Sequence, residues 1–136
     1  MSYKVVDGPK APPSGIDALS ELFRAGIEAS ALPLTMPLLM LQAPDADGHQ
    51  VFVIPGFLAS DRSTAVLRRF IDRLGYQALP WELGRNNGGQ AQHEQLISNF
   101  EKLAARSSRP ITIVGQSLGG VYARELARLQ PEAVRM

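Results

Sequence analysis

The sequence contains no cysteine, which excludes disulfides and thiolate-held metals. Its two histidines, His49 and His93, are too few for an imidazole zinc site, and no cofactor or metal is expected. Neither sign of charge dominates. Fourteen basic and thirteen acidic residues leave a net charge of +1, which gives no basis for a nucleic-acid partner or binding to an acidic membrane surface. The apolar stretch over residues 31–41 is too short to span a bilayer and carries Pro33 and Pro37, so no stable membrane insertion is expected. The N-terminus lacks a basic region leading directly into an apolar core, as a signal peptide would have, and a cytoplasmic location is the expectation. No repeat or low-complexity segment interrupts the chain.

What is present suits a globular domain with a real core: 136 residues, 45% of them hydrophobic. Residues 1–49 read as an irregular arm followed by an amphipathic helix over 16–30, with Ile16, Leu19, Leu22, Phe23 and Ile27 on one side. Residues 44–48 form a turn cluster. From residue 50 onward, apolar β-branched runs alternate with runs of helical period. Strands are predicted over 51–54, 76–79 and 111–114. The first helix carries Val66, Leu67, Phe70, Ile71 and Leu74, with Ser63 or Asp61 as its N-cap and Gly75 at its end. The second carries Leu96, Ile97, Phe100, Leu103 and Ala104. The third carries Leu118, Val121, Tyr122, Leu126 and Leu129. Such alternation predicts an α/β fold, a mostly parallel sheet with helices on its faces and its chemistry beyond the carboxyl ends of the strands.

The most informative stretch is Gly115-Gln116-Ser117-Leu118-Gly119, between the 111–114 strand and the third helix. Strand, Gly-x-Ser-x-Gly and helix in that order form a nucleophile elbow, a sharp corner that presents a serine hydroxyl at the sheet edge. The flanking glycines lack a Cβ that would clash where chain passes close. The helix that follows directs free N–H groups and the positive end of its dipole at the site, where a tetrahedral oxyanion would form. The first such donor is the backbone N–H of Leu118.

Residues 50–136 resemble the α/β-hydrolase superfamily, and within it the lipase- and esterase-like members. Two segments carry the resemblance: Gly-Gln-Ser-Leu-Gly-Gly over 115–120, and Val-Phe-Val-Ile-Pro-Gly-Phe-Leu-Ala-Ser over 51–60, about 60 residues upstream. The resemblance implies that the loop after the first strand supplies the second oxyanion donor. Pro55 stands where the family usually has His, and Gly56 matches. The implied catalytic set is therefore Ser117 as nucleophile with the N–H groups of Leu118 and Phe57, Leu58 being the fallback donor. The expected substrate is a small-molecule acyl ester, hydrolysed through an acyl-enzyme. Acyl transfer or thioester hydrolysis on the same machinery, and a non-catalytic binding domain, are the alternatives.

The family places its acid and then its histidine after the serine. Here no His follows Ser117, and the later carboxylates, Glu125 and Glu132, lie within and beyond the elbow helix. His49 precedes the first strand and belongs at the opposite edge of the sheet. His93 is better placed, although a capping residue in a first helical turn is its plainer role. The expectation is a partial α/β-hydrolase fold missing its later strands, the amino-terminal part of a larger enzyme and inactive alone. Residues 132–136 look like the approach to a further strand. Residues 111–114 should then form an open apolar edge, prone to self-association. Trp81, Arg85 and Asn86, in the loop over 81–90, are read as surface loop residues, with contact to substrate as the alternative.

Overall fold

The structure, a computed structural model, describes residues 46–135. The predicted arm and the helix over 16–30 lie outside the described residues, as does the 31–41 run. Three strands and three helices alternate: β1 (Gln50–Ile54), α1 (Ala65–Arg73), β2 (Gln77–Leu79), α2 (Gln90–Arg106), β3 (Thr112–Gly115) and α3 (Leu118–Leu129), followed by a 3-10 turn at Pro131–Ala133. All strand pairings are parallel and the order is β2-β1-β3. The architecture is α/β, a small parallel sheet with helices on its faces. None of the helices described is long and apolar enough to cross a membrane.

The central position of β1 explains why it is apolar at consecutive residues. Phe52 and Ile54 face a cluster built from Trp81, Leu96, Phe100, Ile111, Tyr122 and Leu126, which α2 and α3 cover. Val51 and Val53 face the other way, against Ile71 of α1. A strand buried on both faces cannot alternate polar and apolar residues. The chain steps from β1 to β2 on one side and then to β3 on the other, with α1 and α2 on opposite faces. Crossovers of one hand require that arrangement when the direction of travel reverses. The reversal falls between β1 and β3, and sheets of this kind hold their ligands beyond the carboxyl ends of the strands at such a point.

Several local expectations are revised. Asp61 and Ser63 do not cap α1; its first turn is preceded by Thr64, and no side chain caps it. Ser63 instead donates to Ser60 O, and the Asp61 carboxylate accepts from the backbone N–H groups of Trp81 and Glu82. Val66 and Leu67 are exposed, and of the predicted α1 stripe Ile71 alone is fully buried. Gly75 does end the helix, in a left-handed conformation at φ 90°.

The 111–114 edge is not fully open. Ile111 is completely buried and paired on its outer side. It donates to Ala133 O at 2.8 Å and accepts from Arg135 N at 2.9 Å, forming a parallel bridge with Val134. The segment after the 3-10 turn thus covers the outer side of Ile111 by a single parallel bridge at Val134, and the predicted open edge is confined to Thr112–Gly115.

The amino ends of the strands are tied by Asp47. Its carboxylate accepts from Arg135 at 3.1 Å and Arg109 at 3.3 Å and bonds the His49 ring, whose Nε2 lies 2.9 Å from Thr112 Oγ1. The bond from His49, as the main cause, and Arg135, as a further one, hold the Asp47 carboxyl well below the usual carboxylate pKa range. A carboxylate with a depressed folded pKa stabilises the fold above its unfolded value near 4, and that contribution disappears as the pH falls. Acidification below about pH 4 is therefore expected to lower the melting temperature, and Asp47→Asn to flatten that dependence. Parallel pH–melting curves for the two proteins would remove Asp47 from the account.

Candidate active site

Ser117 stands at the corner between β3 and α3 with φ 51° and ψ −116°. A residue with a Cβ rarely occupies that region, and where one does, the surrounding structure must hold it there. The constraint comes from the glycines. A Cβ on Gly115 would run into the carbonyl of Gly119, and one on Gly119 into the carbonyls of Ile54 and Pro55. The elbow helix is thus seated directly on the end of β1. Gly56 closes the contact from the other side: a Cβ there would sit 3.2 Å from Gln116 O and 3.4 Å from Ser117 Cβ. The serine itself is exposed.

The two backbone donors expected for an oxyanion flank this corner. Leu118 is the first residue of α3, and among the described residues its N–H has no acceptor, whereas Gly119 and Gly120 already donate to Gln116 O and Ser117 O. The N–H of Phe57 is likewise without an acceptor among the described residues. The fallback donor is corrected: the Leu58 N–H is consumed by a 2.6 Å bond to Asn86 O. The side chains of Phe57 and Leu118 meet over Gly88, where a Cβ would lie 3.5 Å from each. Phe57, Leu58 and Val121 are all more than half exposed.

The reading of Trp81 and Asn86 as surface loop residues, or as contacts for substrate, is also corrected. Both are buried; only Arg85 is exposed. Trp81 fills the core beneath the loop and donates its indole N–H to Gly84 O at 2.9 Å. Asn86 ties the loop over 81–90 to the loop after β1 through its backbone and its amide, which donates to Pro55 O at 2.8 Å. Asp61 ties the same two loops a few residues further along. Nothing in the local pattern distinguishes such an asparagine from an ordinary turn residue. The one available signal is Trp81, an aromatic residue inside a polar loop, which needs somewhere apolar to go.

Neither histidine hydrogen-bonds to Ser117. His49 lies at the amino ends of β1 and β3, the edge opposite the serine. His93, in the first turn of α2, stacks on Tyr122 with ring centroids 5.1 Å apart. Glu125 is paired with Arg128 at 2.8 Å on the outside of α3, and that bond holds its carboxyl below the ordinary range. Among the described residues no group of three His, Asp or Glu side chains could hold a metal ion. A cleft of about 310 Å³ lined by Leu79, Trp81 and Lys102 lies along β2 and α2 and does not include Ser117. Comparison of the chain with models of known families, with curated proteins and with solved structures finds no match.

Proposed function

We propose that Ser117 is the nucleophile of a serine hydrolase that acts on carboxylic esters through an acyl-enzyme, on a fold of the α/β-hydrolase kind. The observation that carries the reading is the backbone of Ser117. A serine held at φ 51° between a strand end and a helix start, with the N–H groups of Leu118 and Phe57 unengaged among the described residues, is a costly corner to build. In the proposed reaction Ser117 Oγ attacks the ester carbonyl and its proton passes to a base. The N–H groups of Leu118 and Phe57 stabilise the oxyanion, the alcohol leaves with the proton, and water then releases the acid. One such donor contributes about 3 kcal/mol to the transition state.

The reaction requires a histidine from outside these 136 residues, because His49 and His93 are engaged elsewhere. The oxyanion site and binding alone retain roughly 10³–10⁴-fold over water. Incubation of the chain with an activated phenyl ester is therefore expected to acylate Ser117 slowly, to at most one equivalent, and added imidazole to accelerate it. Acylation that imidazole does not affect, or that maps elsewhere, would contradict the proposal. Comparing water, alcohols and thiols as acceptors separates hydrolysis from acyl transfer. The positions of the two histidines favour the second reading, a binding domain without catalysis, and total resistance of Ser117 to acylation would select it.

A further inference from the structure

We infer that Asn86 is a positioning residue for the Gly56–Ala59 turn that carries the Phe57 N–H. This inference rests on the hydrolase reading for its catalytic meaning but on geometry for its structural one. Gly56 to Ala59 form a tight turn closed by a 3.1 Å bond from Ala59 N to Gly56 O, with Phe57 and Leu58 at the corner. Leu58 has φ 58°, the left-handed conformation that glycine normally supplies at the third position of such a turn. A leucine there would be more at ease with the central peptide flipped, which gives Leu58 a negative φ and turns its N–H away.

Asn86 opposes the flip. Its carbonyl accepts the Leu58 N–H at 2.6 Å, and its own N–H donates to Ala59 O at 2.8 Å. The side chain secures that backbone by donating from Nδ2 to Pro55 O at 2.8 Å, while Oδ1 accepts from Gly88 N at 3.2 Å. The residue is completely buried and spans 31 positions of sequence to reach Pro55. Its four bonds bracket the turn before and after Phe57 and engage the Leu58 N–H, while the Phe57 N–H has no acceptor among the described residues.

The test uses the full chain as wild type, Asn86→Asp, Leu58→Gly and the double variant. Asp matches the shape of Asn but replaces the donor at Pro55 O by a carboxylate. Leu58→Gly removes the strain that Asn86 holds in place. In wild type, amide exchange should be slow at Leu58 and fast at Phe57. In Asn86→Asp, Leu58 exchange should rise at least tenfold while the amides of β1 and α3 stay protected. The Ser117 acylation rate at saturating ester should fall about a hundredfold with little change in half-saturation. Glycine at position 58 should restore part of that rate in the double variant, which a general loss of stability would not allow.

Fast Leu58 exchange in wild type overturns the inference even if Asn86→Asp fails to fold. Unchanged Leu58 exchange in Asn86→Asp also overturns it. Raised exchange with unchanged acylation overturns the catalytic role. Raised exchange in a chain whose wild type is never acylated upholds the positioning of the turn and removes the hydrolase reading instead.

Discussion

Ser117→Ala is expected to abolish covalent acyl adducts at the elbow while leaving the fold intact. The hydroxyl is the bond-forming group, and it is exposed at the corner, so its removal opens no cavity. Ser117→Gly should abolish the adduct as well, but it should also stabilise the protein. The φ of 51° with ψ of −116° costs a residue with a Cβ on the order of 1–3 kcal/mol. Glycine relieves that strain and returns about 0.5–1 kcal/mol in unfolded-chain entropy. The net gain of roughly 1 kcal/mol should raise the melting temperature by about 4–8 °C for a domain of this size. Higher stability with lost chemistry is the pattern expected where strain serves function. A lower melting temperature for Ser117→Gly would mean that the corner is not strained.

Gly119→Ala is expected to be strongly destabilising. The new Cβ would meet the carbonyls of Ile54 and Pro55, the latter at 2.9 Å. These are backbone atoms at the end of the most buried strand, so no side chain can swing aside. Relief requires α3 to lift from β1, which separates Tyr122 and Leu126 from Phe52 and Ile54 in the core. A cost of about 3 kcal/mol or more follows. Against a total stability on the order of 5–10 kcal/mol, that is a large fraction. Circular dichroism melts would show a fall of more than 10 °C or no cooperative transition. A shift of only a degree or two would mean that the helix is not seated on the strand end as described.

The contrast between these glycines and Asn86 explains what was legible before the structure. The elbow is local: a β-branched run, two glycines two residues either side of a serine, and a helical period all fall within residues 111–129. The alternation of strands and helices is local in the same sense, and so the parallel α/β arrangement could be read from residues 51–129. Asn86 is not local. Its role depends on a loop after β2 returning to a carbonyl at Pro55, and on burial that a polar residue in a glycine-rich stretch does not advertise. Asp61 failed for the same reason: its position before α1 suits a cap, but the two N–H groups that claim it lie about 20 residues downstream. The short approach of residues 132–135 to β3 was visible, because Pro131 ends a helical run and Val134 follows. That it already covers Ile111 was not, since one residue of pairing has no periodicity to read. The exposure of Val66 and Leu67 shows the complementary limit. A helical stripe gives the face that is apolar, not the width of the surface available to cover it.

The resemblance to α/β-hydrolases rests on two short segments, and both lie at the carboxyl ends of the neighbouring strands β1 and β3. The glycine contacts, the strained serine and the N–H groups of Leu118 and Phe57, unengaged among the described residues, all concern that corner. The account therefore stands on Ser117 as the reacting atom. The most direct measurement is to treat the full chain with a fluorophosphonate and locate the adduct by peptide mass mapping. The account predicts a single phosphonylated residue, Ser117, formed faster when imidazole is added and absent in Ser117→Ala. Labelling at another residue, or none after prolonged exposure to the reagent with imidazole present, would contradict it.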